Sequence, residues 1–198
     1  MGIAEEKIRG LVLFVGRTAA GKDTAARVFT NRFQDSQLGV SSTTRPRRSN
    51  ELEDVDYHFI SVEEFDRRNS EGCFLDAVSY NFIYNGKMSR QSYGFDIKSH
   101  DYKNRIIFAS MDLDRALKIK EKLGKKALVV LVDAPLYVRE QRAKARDELF
   151  SLQEWRRRNH EEASRYENAE EKVDWVLRNY DNFEGKDGLE YTIRFLFN

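Results

Sequence analysis

Residues 16–24 read Gly16-Arg17-Thr18-Ala19-Ala20-Gly21-Lys22-Asp23-Thr24, directly after the apolar run 11–15 and at the start of a helical pattern. A short apolar run of this kind is a buried strand. Glycines on either side of a four-residue gap let successive backbone N–H groups turn inward. The following helix adds the positive end of its dipole, and a lysine reaches the β- and γ-phosphates of a bound polyphosphate. Strand, glycine loop and helix in this order predict a phosphate-binding loop. Its contacts would come from Gly16, Ala19, Ala20, Gly21, Lys22, Asp23 and Thr24, with Lys22 also acting on the transferring phosphates.

One position departs from the usual loop. A Ser or Thr hydroxyl normally follows the lysine and meets Mg²⁺, and here that position is Asp23, followed by Thr24. A carboxylate beside a polyphosphate is repelled unless a cation lies between them, so Asp23 is a candidate Mg²⁺ ligand, directly or through water. The alternative is that Asp23 caps the helix and Thr24 takes the phosphate contacts.

The rest of the chain alternates apolar runs with helical patterns. Residues 11–15, 105–111, 127–132 and 173–177 read as buried strands, and 22–33, 113–123 and 136–146 as crossover helices. That alternation predicts an α/β fold with a central parallel sheet covered on both faces and ligands at the carboxyl ends of its strands. Between residues 40 and 97 the texture changes. Short strands at 56–60, 74–80 and 82–84 surround a helix, and Tyr84-Asn85-Gly86-Lys87 reads as a hairpin turn. Residues 154–171 read as a charged helix and 191–197 as a last strand.

With 198 residues, one domain of this kind with a small inserted lobe is expected. Lysine and arginine number 34 against 33 acidic residues, so no long-range field favours nucleic acid or an anionic membrane. The single Cys73 excludes an intramolecular disulfide, and neither a signal-like segment nor a membrane-length apolar run is present. A cytoplasmic protein is the expectation. Nothing in the sequence signals an oligomeric state.

A second concentration of chemistry is Ser41-Ser42-Thr43-Thr44-Arg45-Pro46-Arg47-Arg48-Ser49-Asn50-Glu51, followed by Asp56-Tyr57-His58-Phe59. Ser-x-Thr-Thr-Arg, a second Arg three positions on, Glu three beyond that, and then Asp-Tyr-x-Phe resemble the substrate segment of the guanylate kinase family. Ser61-Val62-Glu63-Glu64-Phe65 and Gly72-x-Phe74-Leu75-Asp76 continue the likeness. It runs, weakening, from Gly10 to about Tyr180.

The resemblance implies a P-loop NTPase three-layer fold: a core at 8–39 and 98–198, a lobe for a nucleoside monophosphate at 40–97, and a helical lid at about 140–165. It implies that Arg45, Arg48, Tyr57 and Tyr93 clamp the monophosphate, that Glu51 supports the arginines, and that Ser41, Asp76 and Asp112 face the base. Guanidinium forks and a phenol hydroxyl suit a phosphate dianion, and a carboxylate suits the N1–H and N2–H edge of guanine. Arg142 and Arg146, at i and i+4, resemble the family's lid pair, Arg157 its partner on the second lid helix, and Asn179 an asparagine near adenine. The implied activity is phosphoryl transfer from ATP·Mg²⁺ to GMP or dGMP, with nucleotides as the only partners.

Departures from the family cluster around the acceptor base. Asp76 is one methylene shorter than the family's Glu, the segment before Tyr93-Gly94 is longer, and Phe95 stands where a small hydroxyl residue contacts the base. Two alternatives therefore stand beside a guanine enzyme: a (deoxy)nucleoside monophosphate kinase for another base, and an inactive peptide-binding module of the same fold. His100 and His160 show no ligand spacing and are expected at the surface.

Overall fold

The structure is a computed structural model that describes residues 8–47, 51–84, 87–96, 100–146, 151–180 and 183–197, with backbone alone at 81–84, 87–89, 146 and 154. Its first elements are β1 (Gly10–Val15), α1 (Lys22–Thr30), β2 (Ser36–Gly39), β3 (Ser42–Thr43), β4 (His58–Phe59), α2 (Val62–Ser70), β5 (Phe74–Tyr84) and β6 (Lys87–Asp96). They are followed by β7 (Ile106–Ser110), α3 (Leu113–Leu123), β8 (Ala127–Asp133), α4 (Leu136–Arg146), α5 (Leu152–Arg165), α6 (Ala169–Lys172), β9 (Trp175–Arg178) and α7 (Lys186–Phe197). These elements form two compact units, residues 9–38 with 105–197, and residues 39–104 with Ile8.

The larger unit is built on β1, whose six residues are all buried. It lies at the centre of a sheet ordered β2-β7-β1-β8-β9, parallel to β7 and to β8, with β8 parallel to β9. This is the α/β arrangement that the alternation of runs and helices predicts. Beneath it Phe14, Phe29, Phe33 and Phe108 pack ring against ring, with centroids 5.3 Å apart for Phe14–Phe29 and for Phe33–Phe108. Ala25, Ala26 and Phe29 give α1 its buried face. The parallel neighbours bring the ends of β1, β7 and β8 to one side, where the 16–24 loop begins.

Residues 191–197 are helical, not a strand. Leu189, Ile193 and Phe197 are buried at helical spacing within α7, while Tyr191 and Phe195 are exposed. Over so few residues, strand alternation and a helical stripe select overlapping positions. The helix expected at 154–171 is broken between α5 and α6 by Asn168, at φ 53°. The β2 strand, Ser-Gln-Leu-Gly, carries one apolar residue and gave no signal in the sequence.

In the smaller unit the sheet order is β4-β3-β6-β5. Residues 74–80 and 82–84 are one continuous strand, β5, antiparallel to β6 from Tyr84↔Lys87 back to Phe74↔Asp96. The expected turn residues Asn85 and Gly86 lie outside the described residues. Between Phe74↔Asp96 and Ala77↔Gly94 the register shifts, so Leu75 and Asp76 together oppose Phe95. Such a bulge re-aims a side chain. Ser61 caps α2, its hydroxyl accepting from the Glu64 N–H, and Phe65 stacks on Phe74 at 4.7 Å.

His100 is half-buried and not a free surface residue; His160 is exposed. His100 Nε2 accepts from the Val40 N–H at 3.0 Å and Nδ1 donates to the Asp96 carbonyl at 2.9 Å, which requires the neutral ring. Burial lowers its pKa below the ordinary 6.5, with the charge of His58 adding to this and Asp96 opposing it. The unfolded chain therefore binds this proton more readily than the fold does. The stabilisation is present above pH 6.5 and is lost as pH falls through the lowered value. In urea denaturation, the stability gap between wild type and His100→Gln is expected to narrow from pH 8 to pH 5; a constant gap would contradict a neutral, bonded imidazole.

Candidate active site

The loop between β1 and α1 is held by side chains from far along the chain. Tyr166 Oη accepts from the Gly16 N–H at 3.2 Å, and the Glu162 carboxylate accepts from the Thr18 N–H at 3.1 and 3.0 Å and from its hydroxyl at 2.5 Å. Arg139 donates to the Thr18 carbonyl at 3.3 Å, while Arg142 and Asn179 donate to the Ala20 carbonyl at 3.3 and 2.7 Å. A Cβ on Gly21, at φ 97°, would lie 2.3 Å from Asn179 Nδ2, and one on Gly16 would lie 2.5 Å from the Val132 carbonyl oxygen. Packing therefore demands both glycines, and at Gly21 the left-handed conformation demands one as well. Ala19 sits at φ 61°, a left-handed conformation that costs a residue with a Cβ roughly 1 kcal/mol.

Sequence reasoning missed several of these restraints. Arg139 is 3% exposed, donates to the Ala134 carbonyl and to Asn159 Oδ1, and lies over the Trp155 ring. Burial, and then the charge of Arg17, lower its pKa. Burial pushes the Tyr166 phenol up to about 12, with Lys22 pulling the other way and Asp112 raising it. Tyr166 therefore stays a neutral hydroxyl beside the loop. The charged pattern of 154–171 offers nothing that separates Glu162 from its neighbours; only the turn of α5 towards Thr18 does.

Asp23 does not cap α1. The N-cap is Gly21 and makes no side-chain cap bond. Asp23 is exposed in the first turn, as is Thr24, and Asp23 Oδ1 accepts from the Ser110 hydroxyl at the end of β7 at 2.5 Å. Arg142 also donates to the carbonyls of Asn179 and Tyr180, so it joins the loop to the end of β9. Asn179 is buried and spends its amide on Ala20. Arg157 is exposed and ion-paired with Glu161 on its own helix, and the Arg146 side chain lies outside the described residues. Asp112 precedes α3 in the larger unit, within electrostatic reach of Tyr166.

The smaller unit gathers another set. Arg45 is buried and bidentate to Glu51, at 2.7 and 2.5 Å, with its guanidinium 4.9 Å from the Tyr57 ring centre and 5.6 Å from that of Phe59. Burial alone would lower its pKa, but the hydrogen bonds and charge of Glu51 more than offset this and raise it. Tyr93 stands against Tyr57, ring centres 6.1 Å apart. Ser41 and Asp76 are both buried, Asp76 on the β5 bulge. Arg48 lies outside the described residues. Phe95, expected against the base, is instead a core residue: it is fully buried, stacked on His100 at 5.2 Å and edge-on to Tyr102.

The loop runs into the N-terminus of α1 with Lys22 opening the helix, an arrangement that fits a polyphosphate. A carboxylate and a hydroxyl brought together at Asp23 and Ser110 are hard oxygen ligands of the kind magnesium takes. Parallel sheet, glycine loop and adjoining helix N-terminus define the class of P-loop nucleotide-binding proteins. The profile of the guanylate kinase family matches residues 8–190. The guanylate kinase of Chlorobaculum tepidum is 30% identical over 125 residues, covering 63% of this chain and 62% of that protein. That of Salinibacter ruber is 34% identical over 131 residues, covering 64% and 65%. The chain thus spans just under two thirds of the length of these relatives. The crystal structure of guanylate kinase from Anaplasma phagocytophilum superposes with a TM-score of 0.62 at 23% identity, over 96% of this chain and 88% of that one. The chain belongs to the guanylate kinase family.

Glu162→Ala is expected to lower the unfolding free energy by about 1–3 kcal/mol, because it leaves the Thr18 donors without their charged acceptor. Glu162→Gln, which keeps one carbonyl oxygen, should lose less. Chemical denaturation of both variants measures this, and wild-type stability in Glu162→Ala would show that the contact is not made in solution.

Proposed function

We propose that this protein is an ATP-dependent nucleoside monophosphate kinase that transfers the γ-phosphoryl group to GMP or dGMP. The observation that carries this reading is the intact loop of residues 16–24 at the end of a buried parallel strand. A module that only bound peptides would have no need of glycines packed this closely or of Lys22 at the helix start. Family membership supports the same reaction.

In this reading Gly16, Ala19, Ala20, Gly21 and Thr24 line the triphosphate cradle, and Lys22 places its ammonium on the β- and γ-phosphates. Magnesium, held by Asp23, would neutralise phosphate charge when bound. Arg142 and Arg157, with Arg146, add positive charge towards the transferred group, and Asn179 supports the adenine end. Arg45, Arg48, Tyr57 and Tyr93 hold the acceptor phosphate. Glu51 fixes the Arg45 fork in place before a ligand arrives, so less conformational freedom is lost on binding. Catalysis is positioning plus electrostatic stabilisation, with a phosphate oxygen of the monophosphate attacking phosphorus in line.

Base selection rests on Ser41, Asp76 and Asp112. A buried carboxylate facing a base rewards the donors of guanine and is left unpaired by the N1 acceptor of adenine. With Phe95 in the core, the hydroxyl that the family places there has no substitute at that position, and this favours keeping a kinase for another base as the second reading.

Production of ADP with GMP, dGMP, AMP, CMP, UMP and dTMP as acceptors decides among these. GMP or dGMP is expected to be preferred at least about tenfold in kcat/KM, corresponding to ~1.4 kcal/mol. A pyrimidine as best acceptor would overturn the guanine assignment, and no ADP with any acceptor would overturn the kinase. Lys22→Ala should abolish transfer while leaving the thermal unfolding midpoint unchanged. Arg45→Ala should raise KM for the monophosphate far more than for ATP, by about 1.5–3 kcal/mol in binding; equal losses for both nucleotides would remove Arg45 from the acceptor clamp.

A further inference from the structure

In P-loop enzymes generally, the magnesium ion is held by two oxygen groups: a Ser or Thr hydroxyl immediately after the loop lysine, and an Asp carboxylate from a neighbouring strand. In this chain both kinds of group are present in exchanged places. The residue after Lys22 is Asp23. The strand parallel to β1 on the other side from β8 is β7, and it ends in Ser110, in register with Phe14 just before the loop. Ser110 Oγ donates to Asp23 Oδ1 at 2.5 Å, so the two positions that usually bracket the ion meet each other directly.

We infer that Asp23 and Ser110 form a transposed magnesium pair, in which the loop supplies the carboxylate and the strand supplies the hydroxyl. This rests on the nucleotide-binding reading of the loop and adds to it a residue, Ser110, that the loop motif does not contain. The exchange conserves the chemistry that the ion sees, one carboxylate and one hydroxyl. It also moves the negative charge into the first turn of α1, where the helix dipole favours it. Both residues retain access to solvent, as ligands of an ion that keeps several waters must. Ser110 fixes the orientation of the Asp23 carboxylate, and a partner of this kind typically governs metal affinity by about 10-fold or more. Asp112, two residues beyond Ser110, is the competing carboxylate; its charge acts on Tyr166, at the Gly16 end of the loop.

Titration calorimetry with adenylyl imidodiphosphate, in EDTA and in increasing Mn²⁺, tests the pair without turnover, on wild type, Asp23→Ser, Ser110→Ala, Ser110→Asp, Asp112→Asn and the double variant Asp23→Ser/Ser110→Asp. Thermal unfolding confirms that each is folded. Asp23→Ser is expected to need about tenfold more Mn²⁺ to tighten the nucleotide, Ser110→Ala less than that, and the double variant to return to within about threefold of wild type. Restoration by the double variant is the decisive result, because a merely structural hydrogen bond gives no reason for metal affinity to return with the exchange. A double variant no better than Asp23→Ser, or a loss in Asp112→Asn matching that in Asp23→Ser, would overturn the transposed pair while leaving nucleotide binding intact. Failure of wild type to bind the analogue under any condition would overturn the pair together with the nucleotide reading.

Discussion

The loop of residues 16–21 lies outside helix and sheet, so its backbone N–H and C=O groups must be held by something else. Here five side chains hold them: Tyr166 and Glu162 accept from the Gly16 and Thr18 N–H groups, while Arg139, Arg142 and Asn179 donate to the Thr18 and Ala20 carbonyls. Two are cationic, one anionic and two neutral, so the loop is fixed without surrounding it with charge of one sign. The elements bearing them, α4, α5 and the end of β9, owe part of their arrangement to this requirement. The strained Ala19 persists because its neighbours on both sides are tied down.

The parallel sheet determines which groups meet at that loop. Because β7 and β8 flank β1 in the same direction, a residue ending β7 arrives beside the first turn of α1, and a carbonyl ending β8 closes on Gly16. Asp23 with Ser110, and Gly16 with Val132, are thus consequences of strand order. In the smaller unit a bulge does comparable work. One extra residue in β5 sets Leu75 and Asp76 opposite Phe95, whose ring stacks on His100.

The parts legible in the sequence were those with a strong local pattern. The strands 11–15 and 127–132 are continuous apolar runs, and the loop glycines answer to a left-handed turn at Gly21 and a close approach of the backbone at Gly16. What remained illegible depends on contacts between residues far apart in the chain. Nothing near Glu162 distinguishes it from Glu161, and Ser110 looks like any strand-ending serine until β7 is laid beside β1. Phe95 packs against His100 and Tyr102, and a match to a family position carries no sign of that packing. The C-terminal helix was read as a strand because seven residues cannot separate the two periodicities.

The sequence separations of the loop's restraints, from 121 residues for Arg139–Thr18 to 159 for Asn179–Ala20, bear on the order in which the molecule is made. Synthesis proceeds from the amino end, so the glycine loop appears well before the groups that shape it. Until residues 139–179 have been added and have closed these long chain loops, the 16–21 backbone has only its local turn to define it. The shape of the loop is therefore acquired only once residues 139–179 have folded back onto it.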